Sequence, residues 1–174
     1  MYEIKKSLSR IPFYANAGAD IYALHGDPII LKAADISDPA IYNWYDPVGN
    51  WVCTGMNFPT IALNEQKYKL EVIAESDGYK DYDEVWVKIV PGRIESIHPN
   101  PATNYVEVTC AYNNVSSAFI TISDQSGRIY ADYPLSISPQ SVNISLGSIY
   151  LPGTYTVTLI CDGQIADSKT FVKQ

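Results

Sequence analysis

The sequence has little of the chemistry that most enzymes and metal sites use. Its 174 residues include two histidines, His25 and His98, and three cysteines, Cys53, Cys110 and Cys161. Because no Cys-x-x-Cys pair occurs, the cysteines predict neither a zinc site nor a dense disulfide framework. The sequence also lacks a Ser/His/Asp order, a paired-carboxylate motif and a glycine-rich phosphate loop. We therefore expect a non-catalytic chain with no metal and no cofactor.

Long apolar runs and excess positive charge are also missing. No stretch approaches the ~18 consecutive apolar residues of a membrane-spanning helix. Twelve basic residues stand against nineteen acidic ones, a net charge of −7, so nucleic acid is not an expected partner. Near the amino end, the apolar run after Arg10 is short and is interrupted by Pro12. It does not form a signal peptide; we expect residues 1–19 to be a tail or upstream segment, with any native export signal outside this chain.

What remains is rich in residues that favour β-strands. Apolar residues make up 47% of the chain and charged residues only 18%, with 14 tyrosines. Short alternating runs separated by turn residues predict an all-β chain of two tandem immunoglobulin-like sandwiches. The Val90–Arg93 segment reads as a linker between domains at 20–91 and 92–174. Strands are predicted at 20–24, 28–34, 40–45, 51–55, 59–63, 66–74 and 83–90, then at 94–97, 105–112, 117–123, 128–133, 141–146, 153–161 and 165–172.

The first half has the residue spacing of an immunoglobulin core without its disulfide. Such sandwiches place a tryptophan on the third strand, against a bridge between the second and sixth strands, with a tyrosine two residues before the second cysteine. Trp44 and Tyr68 fit the two aromatic positions, and Leu31 and Leu70 stand where the cysteines would be. The half resembles a PKD-type or immunoglobulin-like module.

The second half carries a set of ordered motifs. They are His98-Pro99-Asn100-Pro101-Ala102-Thr103-Asn104, then Ile120 to Tyr130 with Gly127, then Gly153-Thr-Tyr155-Thr-Val157, and finally Lys169 to Lys173. In this order the motifs resemble the C-terminal sorting domain of the type IX (Por) secretion system of Bacteroidetes. The resemblance covers about 80 residues. It implies that Pro99, Asn100, Pro101, Gly127, Gly153, Tyr155, Lys169 and Lys173 belong to a sorting signal.

That resemblance also implies a location and a partner. In the family, the tail directs a periplasmic cargo across the outer membrane and is commonly removed as the cargo is attached to the cell surface. We therefore expect a secreted or surface-attached protein that reaches the outer membrane through the periplasm. Its expected partner is the secretion machinery of that membrane, with a glycan or a surface protein as a further candidate.

Two groups of residues have both a functional and a structural interpretation. Cys110 and Cys161 form a disulfide between the second and sixth strands of the second sandwich, or they are two small buried apolar residues. Trp51 and Trp86, with Tyr79 and Tyr82, form an aromatic platform that binds sugar, or they cover a half-exposed sheet.

The acidic turn from Asp77 to Glu84 lacks the ligand spacing of a calcium loop and is expected to be a solvated hairpin.

Three functions remain open on this basis. The first is a module for export and display, in which the first sandwich is a spacer or adhesive unit and the second directs secretion. The second is a surface adhesin that binds carbohydrate or protein. The third is the accessory C-terminal part of a larger secreted hydrolase.

Overall fold

The protein is all-β and is built of immunoglobulin-like sandwiches. The computed structural model describes residues 12–136, 138, 140–147 and 150–174, and in these residues it contains strands and no α-helix. None of the described segments is therefore a helix that could span a membrane. The chain divides into two compact units. The first contains residues 12–21 and Pro28–Lys88, and the second contains Tyr22–Asp27 and Ile89–Gln174.

Seven strands belong to the first half of the chain. They are β1 (Ile21–Ala23), β2 (Pro28–Lys32), β3 (Ala40–Tyr45), β4 (Trp51–Thr54), β5 (Asn57–Ile61), β6 (Gln66–Ala74) and β7 (Lys80–Ile89). They form a five-stranded sheet of order β1-β7-β6-β3-β4 and a two-stranded sheet, β2-β5. The pairings β2-β5, β3-β4, β3-β6 and β6-β7 are antiparallel.

The core of the first unit contains the residues that the immunoglobulin spacing predicts. Trp44 pairs with Leu70 across β3 and β6, and Leu31 on β2 contributes from the other sheet. All three are fully buried. The Trp44 indole N–H donates to the carbonyl of Gly55 at 3.0 Å, so its polar atom is satisfied. Tyr68 is also buried, and its hydroxyl contacts the side-chain amide of Gln66.

Residues ahead of β1 are tied to the first unit. The backbone N–H groups of Ala15 and Ala17 donate to the carboxylates of Asp81 and Asp83, at 2.7 and 2.8 Å. Ala17 is almost completely buried. Two carboxylates of the predicted acidic hairpin thus bind backbone amides of the segment that the sequence assigns to a tail. β7 begins at Lys80, three residues before its predicted start, because Lys80 already pairs with Ile73 of β6.

The second half of the chain forms a seven-stranded sandwich. Its strands are β8 (Gly92–His98), β9 (Tyr105–Tyr112), β10 (Ala118–Asp124), β11 (Ile129–Leu135), β12 (Gln140–Ser145), β13 (Gly153–Cys161) and β14 (Gln164–Lys173). One sheet has the order β12-β9-β8 and the other β11-β10-β13-β14. The second and sixth strands, β9 and β13, therefore lie at the centres of opposite sheets, as in an immunoglobulin-type sandwich.

Alternation places one face of each strand in the second core. Val106, Val108 and Cys110 from β9 are completely buried, and Val157 and Leu159 from β13 are buried opposite them. Tyr155, at the start of β13, donates its hydroxyl hydrogen to the carbonyl of Leu151, at 2.7 Å. This bond from the sixth strand to the backbone four residues upstream is a tyrosine corner. The second unit therefore has, at Tyr155, the tyrosine corner that the sequence predicts at Tyr68 in the first unit.

Gly92 opens β8 where the core leaves no room for a side chain. A Cβ at this position would lie 2.8 Å from Cδ2 of Leu159 and 3.0 Å from Sγ of Cys161. Such distances are below van der Waals contact, so a side chain here would force Leu159, Cys161 or β8 itself to shift. The predicted linker from Val90 to Arg93 is thus partly strand, since β8 begins within it.

Candidate functional site

The motifs of the predicted sorting signal gather at one end of the second unit. This end, called the motif end, comprises residues 99–104, 124–128, 150–153 and 172–174. The register of the strands brings them together, because Asp124 pairs with Tyr155 and Gly153 pairs with Lys173. Pro99, Asn100, Pro101, Gly127, Gly153, Tyr155 and Lys173 lie at or beside this end. Lys169 does not, since it faces Val157 in the middle of β14.

The Pro-Asn-Pro segment holds the last strand. The backbone N–H of Val172 donates to Oδ1 of Asn100 at 3.0 Å, and the N–H of Ala102 donates to the carbonyl of Val172 at 2.8 Å. The N–H of Gln174 donates to the carbonyl of Ala102 at 2.9 Å. The peptide bonds before Pro99 and Pro101 are cis. The N–H and the C=O of Val172, on the free edge of β14, are therefore both paired within the unit. They are not available to pair with a strand of another chain.

The turn from Asp124 to Arg128 contributes a second part of the motif end. Gly127 has φ of +81°, a conformation that residues with a Cβ rarely adopt. Asp124 accepts hydrogen bonds from the Ser126 hydroxyl at 2.6 Å and the Tyr130 hydroxyl at 3.0 Å. Bonds from Ser126, Tyr130 and the turn amides lower the pKa of Asp124. The carboxylate thus fixes the turn through the charge it keeps near neutral pH.

Exposed apolar side chains surround the motif end. Tyr105 is 50% exposed, Ile129 60% and Leu151 70%, and Val172 is 40% exposed. Behind them, Tyr155 stacks on Phe171, with ring centroids 5.6 Å apart. The surface around the motifs is therefore apolar at its rim and is held by a rigid aromatic core.

A second surface lies on the outward side of the larger sheet in the first unit. This surface, called the outer face, comprises the outward side chains of β4, β3, β6 and β7. Cross-strand pairing places Trp51 beside Tyr45, Glu71 beside Tyr82 and Lys67 beside Trp86. Trp51 is 61% exposed and Trp86 39%. The structure thus brings Trp51, Tyr82 and Trp86 to one face, whereas Tyr79 lies in the turn before β7 and packs edge-on against Phe13.

Glu71 lies at the centre of the outer face and is almost completely buried. Oε1 accepts hydrogen bonds from Lys80 Nζ at 2.9 Å and the Tyr82 hydroxyl at 3.1 Å. Oε2 accepts from the Tyr45 hydroxyl at 3.1 Å and the Asn43 amide at 3.2 Å. Burial alone would raise the pKa of Glu71, but these four donors outweigh it and lower the pKa to about 2. The ionised carboxylate therefore fixes both tyrosine rings.

A cleft of about 370 Å³ opens between these groups. Its wall is formed by Tyr45, Asp46, Pro47, Gly49, Lys67, Tyr68, Lys69, Glu71, Tyr82 and Glu84. The ammonium of Lys69 lies 4.0 Å from the centroid of the Tyr82 ring, within the range of a cation–π contact. Lys67 forms an ion pair with Glu84 at 2.6 Å. The volume lies within the range of small-molecule sites, although the lining is more charged than in most of them.

Sequence reasoning missed Tyr45, Lys69 and Glu71. Their signal is the strict alternation in Lys67-x-Lys69-x-Glu71 of β6, which puts three charged side chains on the face opposite the core. The pairing of β6 with β3 and β7 is what adds the tyrosines, and that pairing was not predicted residue by residue.

The cysteines are free thiols in this structure. Cys110 and Cys161 are buried, and Cys53 is partly exposed. Burial raises the pKa of Cys110 to about 12 and also raises the pKa of Cys161, so neither thiol is a nucleophile at neutral pH. The tyrosine corner at Tyr155 puts the immunoglobulin bridge position at Val157, four residues before Cys161. Among the described residues, no three His, Cys, Asp or Glu side chains are grouped to hold a metal.

Comparisons with known proteins return structural likeness only. No protein-family model and no curated protein matches the sequence. Among solved structures, the chain is similar to dimeric latent PorU from Porphyromonas gingivalis, with 11% identity and a TM-score of 0.46, over 88% of this chain and 19% of PorU. It is similar to a tetra-tandem repeat in the extending region of a large adhesion protein (16%, TM-score 0.37, covering 86% and 45%).

A third similar structure is the two-domain fragment DIP-gamma IG1+IG2, with 11% identity and a TM-score of 0.36 over 94% of this chain and 95% of the fragment. Because all three TM-scores lie below 0.5, the assignment of fold rests on the strand order described above. The chain spans less than half the length of the first two structures.

Proposed function

We propose that this chain is a module for export and surface display. Residues 92–174 form the sorting domain, and the preceding sandwich, residues 20–91, is a spacer or adhesive unit that the sorting domain carries. The expected route is through the periplasm and the outer membrane by a type IX system, to the cell surface or the medium. The expected partner of the second unit is the secretion machinery of that membrane.

The observation that carries this proposal is the clustering at the motif end. Motifs that lie up to 74 residues apart in the sequence, from Pro99 to Gly153 and Lys173, meet at one end of the unit. Alternate loops of an antiparallel sandwich lie at the same end, and in this unit three loops that carry motifs lie beside one exposed apolar rim. Convergence is what a receptor that reads the folded domain would need, because its contacts must come from one patch.

Deletion tests the proposal. In a bacterium that has a type IX system, the full chain, exported to the periplasm by an added signal peptide, is expected on the surface or in the medium. The chain without residues 92–174 is expected to stay in the periplasm. Surface exposure is measured by protease accessibility of an N-terminal epitope on intact cells. Equal exposure of both chains would contradict the proposal.

Point variants separate recognition from folding. Val172→Ser at the motif end is expected to reduce surface exposure several-fold. Ile165→Ser, on the same strand at the opposite end and 73% exposed, is the matched control. Equal behaviour of the two variants would remove the motif end as the recognised surface.

Adhesion by the first unit is a second candidate function, and the outer face favours it. Trp51 on β4 and Trp86 on β7 are exposed on the same face of one sheet, on strands that flank β3 and β6. They provide apolar area that a stable sandwich does not need. Glycan or protein binding to immobilised full chain, lost in Trp51→Ala and Trp86→Ala but kept in Tyr105→Ala, would support it. Binding that survives both tryptophan variants would remove it. A larger secreted hydrolase of which this chain is an accessory part is compatible with either function.

A further inference from the structure

We propose that the cleft around Glu71 is a binding site for neutral, hydroxyl-rich glycans, with Tyr45 and Tyr82 as the packing surfaces and Lys69 as a hydrogen-bond donor. This inference deepens the adhesive role proposed above and rests on it. It is independent of the delivery role, which is measured by localisation.

The first argument is preorganisation. A tyrosine ring on an exposed sheet normally changes rotamer freely, but here both hydroxyls are bound to the same buried carboxylate, Tyr45 to Oε2 and Tyr82 to Oε1 of Glu71. Glu71 accepts from four donors in all, two at each oxygen. Rings that are already fixed lose little conformational freedom when a ligand packs on them, so binding costs less entropy.

The second argument is charge balance. In the cleft wall, Lys67 and Lys69 stand against Asp46, Glu71 and Glu84, and the ammonium of Lys80 bonds to Glu71 at 2.9 Å. Counting Lys80, the positive and negative charges are equal. A strongly anionic or cationic ligand would therefore meet as much repulsion as attraction. A neutral ligand with many groups that both donate and accept fits this lining, and hydroxyls are such groups.

The third argument is the state of Lys69. Within the described part of the chain, Lys67 and Lys80 are each in an ion pair, whereas Lys69 lies over the face of Tyr82 and forms no ion pair. Its three ammonium hydrogens thus remain available to ligand oxygens. A hexopyranose has one face of C–H groups, which packs on a tyrosine ring, and a rim of hydroxyls, which accept from an ammonium. Because the Lys69 ammonium lies over the Tyr82 ring, a sugar that packs on this face displaces the ammonium to the edge of the ring, where it donates to the hydroxyls of the sugar.

The outer face extends the site beyond one sugar ring. Trp51 on β4 and Trp86 on β7 lie on strands three spacings apart in the sheet, about 14 Å at the usual strand separation. The cleft lies between them, on β3 and β6. An oligosaccharide of several units that crosses the strands would therefore contact the tryptophans at its ends and the cleft at its middle.

The experiment measures binding of the full chain to defined oligosaccharides by titration calorimetry. The probes are the neutral cellohexaose and mannohexaose and the acidic oligogalacturonate. We expect at least one neutral probe to bind more tightly than the acidic one. Lys69→Met and Tyr82→Ala are each expected to weaken it at least tenfold. Tyr82→Phe keeps the ring and is expected to lose less than Tyr82→Ala. Tyr105→Ala, an exposed tyrosine in the second unit, is the matched control.

The outcomes separate this inference from the wider adhesive role. Binding lost in Trp51→Ala and Trp86→Ala but unchanged in Lys69→Met and Tyr82→Ala overturns the cleft and leaves the adhesive role standing. Stronger binding of oligogalacturonate overturns the neutral specificity. No binding of any of the three probes overturns the inference. If Tyr82→Ala unfolds the chain, which its melting temperature shows, Lys69→Met alone tests the cleft, because the Lys69 side chain is exposed and its replacement leaves the fold intact.

Discussion

Asn100 holds β14, because its Oδ1 accepts the backbone N–H of Val172 at 3.0 Å. The two residues are 72 positions apart and join the first motif of the second unit to its terminal strand. Asn100 is exposed and contributes nothing to the apolar core. Its place in the Pro-Asn-Pro motif therefore has a direct structural reason, which is to pair a backbone group on the edge of β14.

The first prediction concerns this bond. Asn100→Ala removes one hydrogen bond and is expected to lower the free energy of unfolding by about 1 kcal/mol. Hydrogen exchange is expected to be faster at Val172 than in the parent chain. Asn143→Ala, an exposed asparagine on β12, is the control and is expected to change stability by less than about 0.5 kcal/mol. Equal urea midpoints for the two variants would mean that Asn100 does not hold β14.

The second prediction concerns the packing over Cys161. Gly92→Ala would place a methyl group 2.8 Å from Leu159 Cδ2 and is expected to destabilise by about 1–3 kcal/mol. Gly147→Ala is the matched control, since its Cβ would meet nothing within 4 Å. Thermal unfolding of both variants decides the matter. A Gly92→Ala chain as stable as Gly147→Ala would show that β8 moves to accept the side chain.

The third prediction concerns pH. The pKa of Glu71 is about 2 in the folded chain, against an ordinary value of 4.5. Because the folded pKa is the lower one, Glu71 stabilises the fold above pH 4.5, and this contribution is lost as the pH falls from 4.5 to 2. At about 1.4 kcal/mol per unit, the contribution is up to about 3 kcal/mol.

Urea unfolding of the full chain at pH 7, 4 and 2.5, followed for the first unit, measures this contribution. Glu71→Gln is expected to be less stable at pH 7 and to lose less stability on acidification than the parent. Glu84→Gln, which breaks only an exposed ion pair, is the control and should follow the parent curve. Parallel curves for all three chains would refute the role given to Glu71.

The fourth prediction concerns the thiols. With its pKa raised to about 12 by burial, Cys110 is protonated at pH 8 in the folded, reduced chain. Iodoacetamide is therefore expected to label Cys53 first and to reach Cys110 and Cys161 only after denaturant is added. Peptide mass spectrometry measures the sites. Rapid native labelling of Cys110 would contradict its burial.

Every strand of the second unit was predicted to within two residues at both ends, and the two-residue differences are at the start of β8 and the end of β11. Period-two alternation and turn pairs such as Asp162-Gly163 are local signals, so they can be read from the sequence. Asp162 and Gly163 have φ of +48° and +77°, the geometry of a tight hairpin turn. The core residues Leu31, Trp44 and Leu70 were also predicted, because their spacing follows from the sandwich itself.

The outer face could not be predicted in the same way. Glu71, Tyr45 and Tyr82 lie on three strands, and only the register between those strands brings them together. A shift of one residue would turn Glu71 toward the core. Likewise, the bonds from Ala15 and Ala17 to Asp81 and Asp83 join segments 66 residues apart, and no local pattern marks them.

The central claim is that the second unit delivers what it is joined to. The most direct measurement fuses the full chain to a periplasmic reporter in a bacterium with a type IX system and compares it with the same fusion lacking residues 92–174. Surface labelling of intact cells is the readout. The account predicts that the longer fusion is labelled and the shorter is labelled only after the outer membrane is opened. Equal labelling of the two on intact cells, or of neither, would contradict it.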